Sequence, residues 1–215
     1  MRSLASLSRV SARKVTRVYG VLRGGLPRWI DVEINEPVSW LLGFLAVAFA
    51  WGGLDNILNP LFYISPAFVA ALVGFAAHEL AHKLVSKRYG AAAGFVAYIP
   101  GLIITFLSGL IPGILILAPG YVRVLYYGYA GRGALYGIAA GPGVNIVIAG
   151  AAQLLAPLAP YPLSVYLLEI ADLNAWFAFF NLLPVPPLDG SKIMRMDQNL
   201  WIAMILVAGI LVFAT

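Results

Sequence analysis

An all-α membrane protein with several spans is predicted from three features. Of 215 residues, 61% are hydrophobic, only 11% are charged, and the apolar residues gather into long runs. Soluble domains average about 45–50% apolar and about 25% charged residues. The runs 38–54, 61–77, 101–120, 135–155, 163–183 and 200–214 approach the roughly 20 residues that cross hydrocarbon. Five to six transmembrane helices follow, in a cell membrane, within a domain covering 38–215.

The leader, 1–37, is polar and basic. Seven of the fourteen Lys and Arg residues lie between Arg2 and Arg28. Basic residues flanking spans stay cytoplasmic, so the N-terminus is expected inside, the loop around Asp55 outside, and Lys83, Lys87 and Arg88 inside again. Contact with anionic headgroups of the lipid bilayer adds about 1 kcal/mol per basic residue. This accounts for the net charge of +5, and no nucleic-acid partner is expected. Within the leader, β-branched and aromatic residues on either side of Gly24 and Gly25 predict a short hairpin. No run reads as a cleaved signal peptide, because the first apolar stretch follows this long leader. With no cysteine, any metal must be held by nitrogen or oxygen.

The stretch 98–120 is apolar but broken by Pro100, Gly101, Gly109, Pro112, Gly113, Pro119 and Gly120. A full crossing would put Arg123, Arg132, Lys192 and Arg195 outside; a re-entrant segment keeps them inside, as the charge rule prefers. Five spans plus one re-entrant or β-like element, with an extended edge in 100–120, is the resulting architecture. In 135–155, Gly141, Pro142 and Asn145 suggest close packing or a kink. Prolines 157, 160 and 162 mark an outer turn. The next helix should stop near Leu183, where Pro184, Pro186, Pro187 and Gly190 call for extended chain.

The chemistry lies in His78-Glu79-Leu80-Ala81-His82, which holds the only two histidines. Residues i and i+4 share a helix face, so both imidazoles can reach one metal ion, with Glu79 beside them. In an H-E-x-x-H helix the histidines bind zinc and the glutamate takes a proton from water. A blander account has the histidines bonding to neighbouring helices or snorkelling to the interface. Glu79 argues against it, since an unpaired acid deep in a span costs on the order of 2.5 kcal/mol or more. A catalytic zinc needs a third protein ligand, here a carboxylate. Among Glu169, Asp172, Asp189 and Asp197, the first two lie toward the outer end of their span, whereas His78 is expected toward an inner end. Asp189 follows the inner end of that same span and is the preferred ligand; an exposed Asp-Gly turn is the competing account of it.

These residues resemble the site-2 protease family of intramembrane zinc metalloproteases. In that family H-E-x-x-H on one span is followed by Gly-Pro-x-x-Asn, then Asn-x-x-Pro and Leu-Asp-Gly. Here the matches are His78 to His82, Gly141-Pro142-Gly143-Val144-Asn145, Asn181-Leu182-Leu183-Pro184 and Leu188-Asp189-Gly190. The resemblance implies a zinc ion held by His78, His82 and Asp189, Glu79 as catalytic base, and Asn145 and Asn181 as substrate or transition-state contacts. It implies a transmembrane protein as substrate, cut within or near its span in regulated intramembrane proteolysis. Asn174 is a further polar match that helix packing explains equally well. Two departures stand out: no room for a PDZ insert, and a short last span. Two other readings compete. Membrane zinc proteases with a glutamate third ligand would use Glu169, and a metal-binding protein or small transporter would use the same groups as an ion path.

Overall fold

A computed structural model of the chain describes residues 34–53, 58–111, 115–126 and 131–213. The hairpin expected in the leader lies outside the described residues. Helix α1 (Glu36–Gly52) starts where Asn35 accepts the Val38 N–H on its side-chain oxygen at 3.0 Å. A 3₁₀ turn (Pro60–Ile64) precedes α2 (Pro66–Arg88), which Ser65 caps by accepting the Phe68 N–H at 3.3 Å. The apolar run 61–77 and this helix therefore differ at both ends. Proline inside the first turn and a serine cap start α2 late, and it continues through Lys83, Lys87 and Arg88, where hydropathy alone would stop it.

Strand β1 (Ala91–Ala97) leads into α3 (Ile99–Ser108), and β2 (Gly120–Tyr126) returns antiparallel to β1, from Ala91↔Tyr126 to Ala97↔Gly120. The Tyr98 N–H donates to the Pro119 carbonyl at 3.0 Å, so the excursion between them ends where it began. A ten-residue helix is about 15 Å long, half a hydrocarbon core. On the way back, the Ile116 N–H donates to Ser108 Oγ at 3.1 Å and the Ala118 N–H to Thr105 Oγ at 3.1 Å. Those hydroxyls satisfy amides that apolar surroundings would leave unpaired. The extended edge expected in 100–120 is misplaced: Pro100 to Ser108 is helical, and the strands flank the excursion.

Next come α4 (Gly131–Leu155), unbroken at Pro142, α5 (Leu163–Asn181), α6 (Asp189–Met196) and α7 (Gln198–Phe213). Residues 182–188 form turns and bends in place of the expected extended chain. Gly190 makes this possible, because a side chain there would collide with the Leu182 carbonyl that ends α5.

Three helices are long and apolar enough to cross a membrane: α2, α4 with its 3₁₀ extension to Leu158, and α5. They also pack on one another. The chain is a multi-pass membrane protein on that ground. Against the five to six spans expected, α1 and α7 have 17 and 16 residues, about 24–26 Å of helix against roughly 30 Å of hydrocarbon. One core joins α1, α2, β1 and α5 through Val47, Phe75, Phe95, Leu173 and Phe177; a second joins α4, α5, α6 and α7 through Leu135, Ala178, Ile193 and Ala208.

Candidate metal centre

Helical spacing places His78 and His82 on the face of α2 that meets α4. His82 Nε2 is 3.0 Å from His78 Nε2, and Asp189 Oδ2 lies 2.9 Å from the former and 3.6 Å from the latter. One ligand atom from each of the three residues falls within 4.8 Å of the others. All three are buried, at 2%, 8% and 9% exposure for His78, His82 and Asp189. His78 sits one residue past the midpoint of α2, five residues before Lys83. The Lys83 ammonium donates to Glu36 Oε1 at 2.5 Å, and Glu36 also accepts the Phe95 N–H at 3.0 Å and the Trp40 indole N–H at 3.2 Å.

Each element brings its ligand for a local reason. The close approach of α4 to α2 depends on Gly141, where a Cβ would overlap the His82 ring. His82 Nδ1 is 2.8 Å from the Gly137 carbonyl, which can only accept, so this ring carries a proton on Nδ1, and in its neutral form Nε2 is left for the metal. Asp189 opens α6, and Lys192, one turn on, donates to its Oδ1 at 2.9 Å, leaving Oδ2 for the imidazoles. His78 packs edge-to-face on Phe177 of α5 at 4.7 Å.

Two imidazole nitrogens and a carboxylate oxygen this close together, out of water, must share a proton or a metal ion between them, and three lone pairs converging on one point suit a metal ion. That donor set, nitrogen and oxygen without sulfur, suits zinc. Glu79 is buried beside it, and its Oε2 has no hydrogen-bond partner. An orphaned carboxylate oxygen next to such a cluster is placed to accept a proton.

The other residues singled out in the sequence fall elsewhere. Asn145 is behind His78, its Oδ1 2.5 Å from Nδ1. Asn181 donates to the Phe177 carbonyl at 2.9 Å, and among the described residues no hydrogen bond joins it to the three clustered residues. Glu169 accepts the Trp51 indole N–H at 2.6 Å and stands apart from the cluster. Sequence reasoning passed over Lys192 and the Gly137 carbonyl. The i+3 spacing from Asp189 could have signalled the lysine; a backbone carbonyl leaves no sequence signal. A cavity of about 530 Å³ between α1, α3 and the 3₁₀ turn has only apolar and aromatic walls, among them Leu45, Phe49 and Phe106, and includes none of these residues.

No family model matches the chain, and neither does any solved structure. A Methanocaldococcus jannaschii protein named "Putative zinc metalloprotease MJ0611" is 33% identical over 174 residues, 78% of this chain and 87% of the relative. With a third of the aligned positions shared over most of both chains, and a buried His-His-Asp cluster where H-E-x-x-H leads one to expect a metal, this chain belongs to the same zinc metalloprotease family as that protein.

Proposed function

We propose that this chain is an intramembrane zinc metalloprotease of the site-2 type, hydrolysing a peptide bond within or near a transmembrane segment of another membrane protein. The observation that carries the reading is the buried convergence of His78, His82 and Asp189 near the middle of a helix of spanning length, with Glu79 Oε2 unpartnered beside it. Depth separates this arrangement from an ordinary surface metalloprotease, since His78 lies about 18 Å from the start of α2 and about 15 Å from its end, with His82 one turn nearer the end. The basic leader supports a cytoplasmic N-terminus.

In this reading His78, His82 and Asp189 hold the ion, which when bound supplies Lewis acidity at neutral pH. Glu79 takes the proton of the attacking water and hands it to the departing amide nitrogen. The surrounding helices keep other water away, which strengthens each charge interaction in the site. Lys192 occupies the second oxygen of Asp189, so this carboxylate offers its ligand atom from one side only. A helical substrate hides its carbonyls in hydrogen bonds and must unwind to be cut; the outer edge of β2 is where an unwound strand can add, since on β1 the outward Phe95 N–H is taken by Glu36.

The test is Glu79→Gln in purified protein, assayed on a transmembrane peptide in detergent or vesicles. Metal content should stay at the wild-type level while cleavage falls by about 10²–10⁴. Cleavage at the wild-type rate removes Glu79 as the base and with it the proposed mechanism; metal passing through the protein without peptide cleavage would favour a transporter.

A further inference from the structure

His78 can bind a metal through Nε2 only if the ring proton is on Nδ1, and the surroundings of that nitrogen decide this. It faces the side-chain amide of Asn145, which can present either oxygen or nitrogen. The other end of Asn145 settles the choice. Its Nδ2 is 3.1 Å from the Gly74 carbonyl and 2.7 Å from Asn174 Oδ1. A backbone carbonyl only accepts, so that end of the amide must be the NH₂ group; the flipped amide would press oxygen on oxygen. Asn174 is fixed in the same way, because its Nδ2 donates to the Ile170 carbonyl at 2.8 Å and turns its oxygen toward Asn145. Asn145 Oδ1 therefore faces His78 Nδ1 at 2.5 Å and can only accept.

Two backbone carbonyls, on α2 and α5, thus dictate the tautomer of one imidazole through two amides. Asn145 and Asn174 are both wholly buried, so no water competes for these bonds. We propose that Asn145 and Asn174 form an amide relay that locks His78 as the Nδ1–H tautomer and so presets Nε2 for the metal. They are positioning residues. Asn145, expected from sequence to touch substrate, has its oxygen committed to His78 and its nitrogen to two acceptors. Asn174 gains a purpose that helix packing alone does not supply. The inference deepens the metalloprotease reading and rests on it for the identity of the bound ion.

The experiment reads the lock in the metal-free protein, by ¹⁵N chemical shifts of the imidazole rings in micelles at a pH where both are neutral. The chain has only two histidines, so His82→Gln assigns the spectrum. Wild type should show His78 as Nδ1–H. Asn145→Leu, which offers no acceptor, should give a tautomer mixture and weaken zinc binding by about 10- to 100-fold, as loss of a ligand's outer partner does. Asn174→Leu, which leaves Gly74 to orient Asn145, should have a smaller effect than Asn145→Leu and remains informative if that variant does not fold. An unchanged tautomer and unchanged zinc affinity in both leucine variants would overturn the relay. Failure of the wild type to bind zinc would count against the metalloprotease reading, and the ring shifts would still decide the relay.

Discussion

Gly141 shows how tightly single residues are held in this protein. A methyl group on its Cα would overlap Nε2, Cε1 and Cδ2 of His82. Overpacking of this kind costs about 1–3 kcal/mol. Since the displaced atom is the ligand itself, Gly141→Ala should weaken zinc binding by roughly 10- to 100-fold, measured by chelator competition. Gly150→Ala on the same helix, where the nearest atom to a new Cβ is Leu211 Cδ2 at 3.9 Å, should leave affinity unchanged. At this scale the sequence was partly legible. The standing together of His78, His82 and Asp189 follows from i, i+4 spacing and from the need for a carboxylate. The place of Asn145 does not, because an asparagine in a polar motif reads the same whether it faces substrate or the back of a ligand.

Between elements, what the sequence hid has a common cause: hydropathy marks apolar composition, not hydrogen bonding. The strand Ala91–Ala97 is alanine-rich and reads as helix as easily as strand, and only pairing with β2 decides it. Lys83 reads from sequence as a boundary charge facing water, and its pairing with Glu36 on α1, far away in the chain, leaves no sequence signal. The turn to Asp189 reads as extended from its prolines, which restrict helix without specifying what replaces it. The sheet register yields a prediction. The Phe95 N–H points to Glu36, away from β2, so Phe95↔Val122 is a non-hydrogen-bonded pair and the Val122 N–H points to the outer edge of β2. Val122→Pro therefore removes a donor from that edge while sparing the β1–β2 bonds. If an unwound substrate adds there, cleavage of a transmembrane peptide should fall at least tenfold with zinc content intact; an unchanged rate would move the substrate to another edge.

Across the whole molecule, the central bundle of α2, α4 and α5 was legible because those spans are long and apolar. The short last span was legible as well, in the run 200–214 that becomes the 16-residue α7, whereas the exact ends of α1 were blurred, since apolar runs do not reveal where helices end. The cluster joins α2 to α6, two elements far apart in the chain, so an ion held there ties the fold together. A ligand at a hundred times its Kd stabilises the native state by about 2.7 kcal/mol. Stripping zinc with a chelator should then lower the unfolding temperature in detergent by roughly 5–10 °C, with recovery on adding zinc back.

The most direct measurement is the metal content of the purified chain and of its His78→Ala and Asp189→Asn variants, determined alongside X-ray absorption at the zinc edge. The account predicts one zinc per wild-type chain, with two imidazole nitrogens and a carboxylate oxygen among its ligands, and little or none in either variant. Full zinc content in Asp189→Asn, with an unaltered ligand shell, would contradict it.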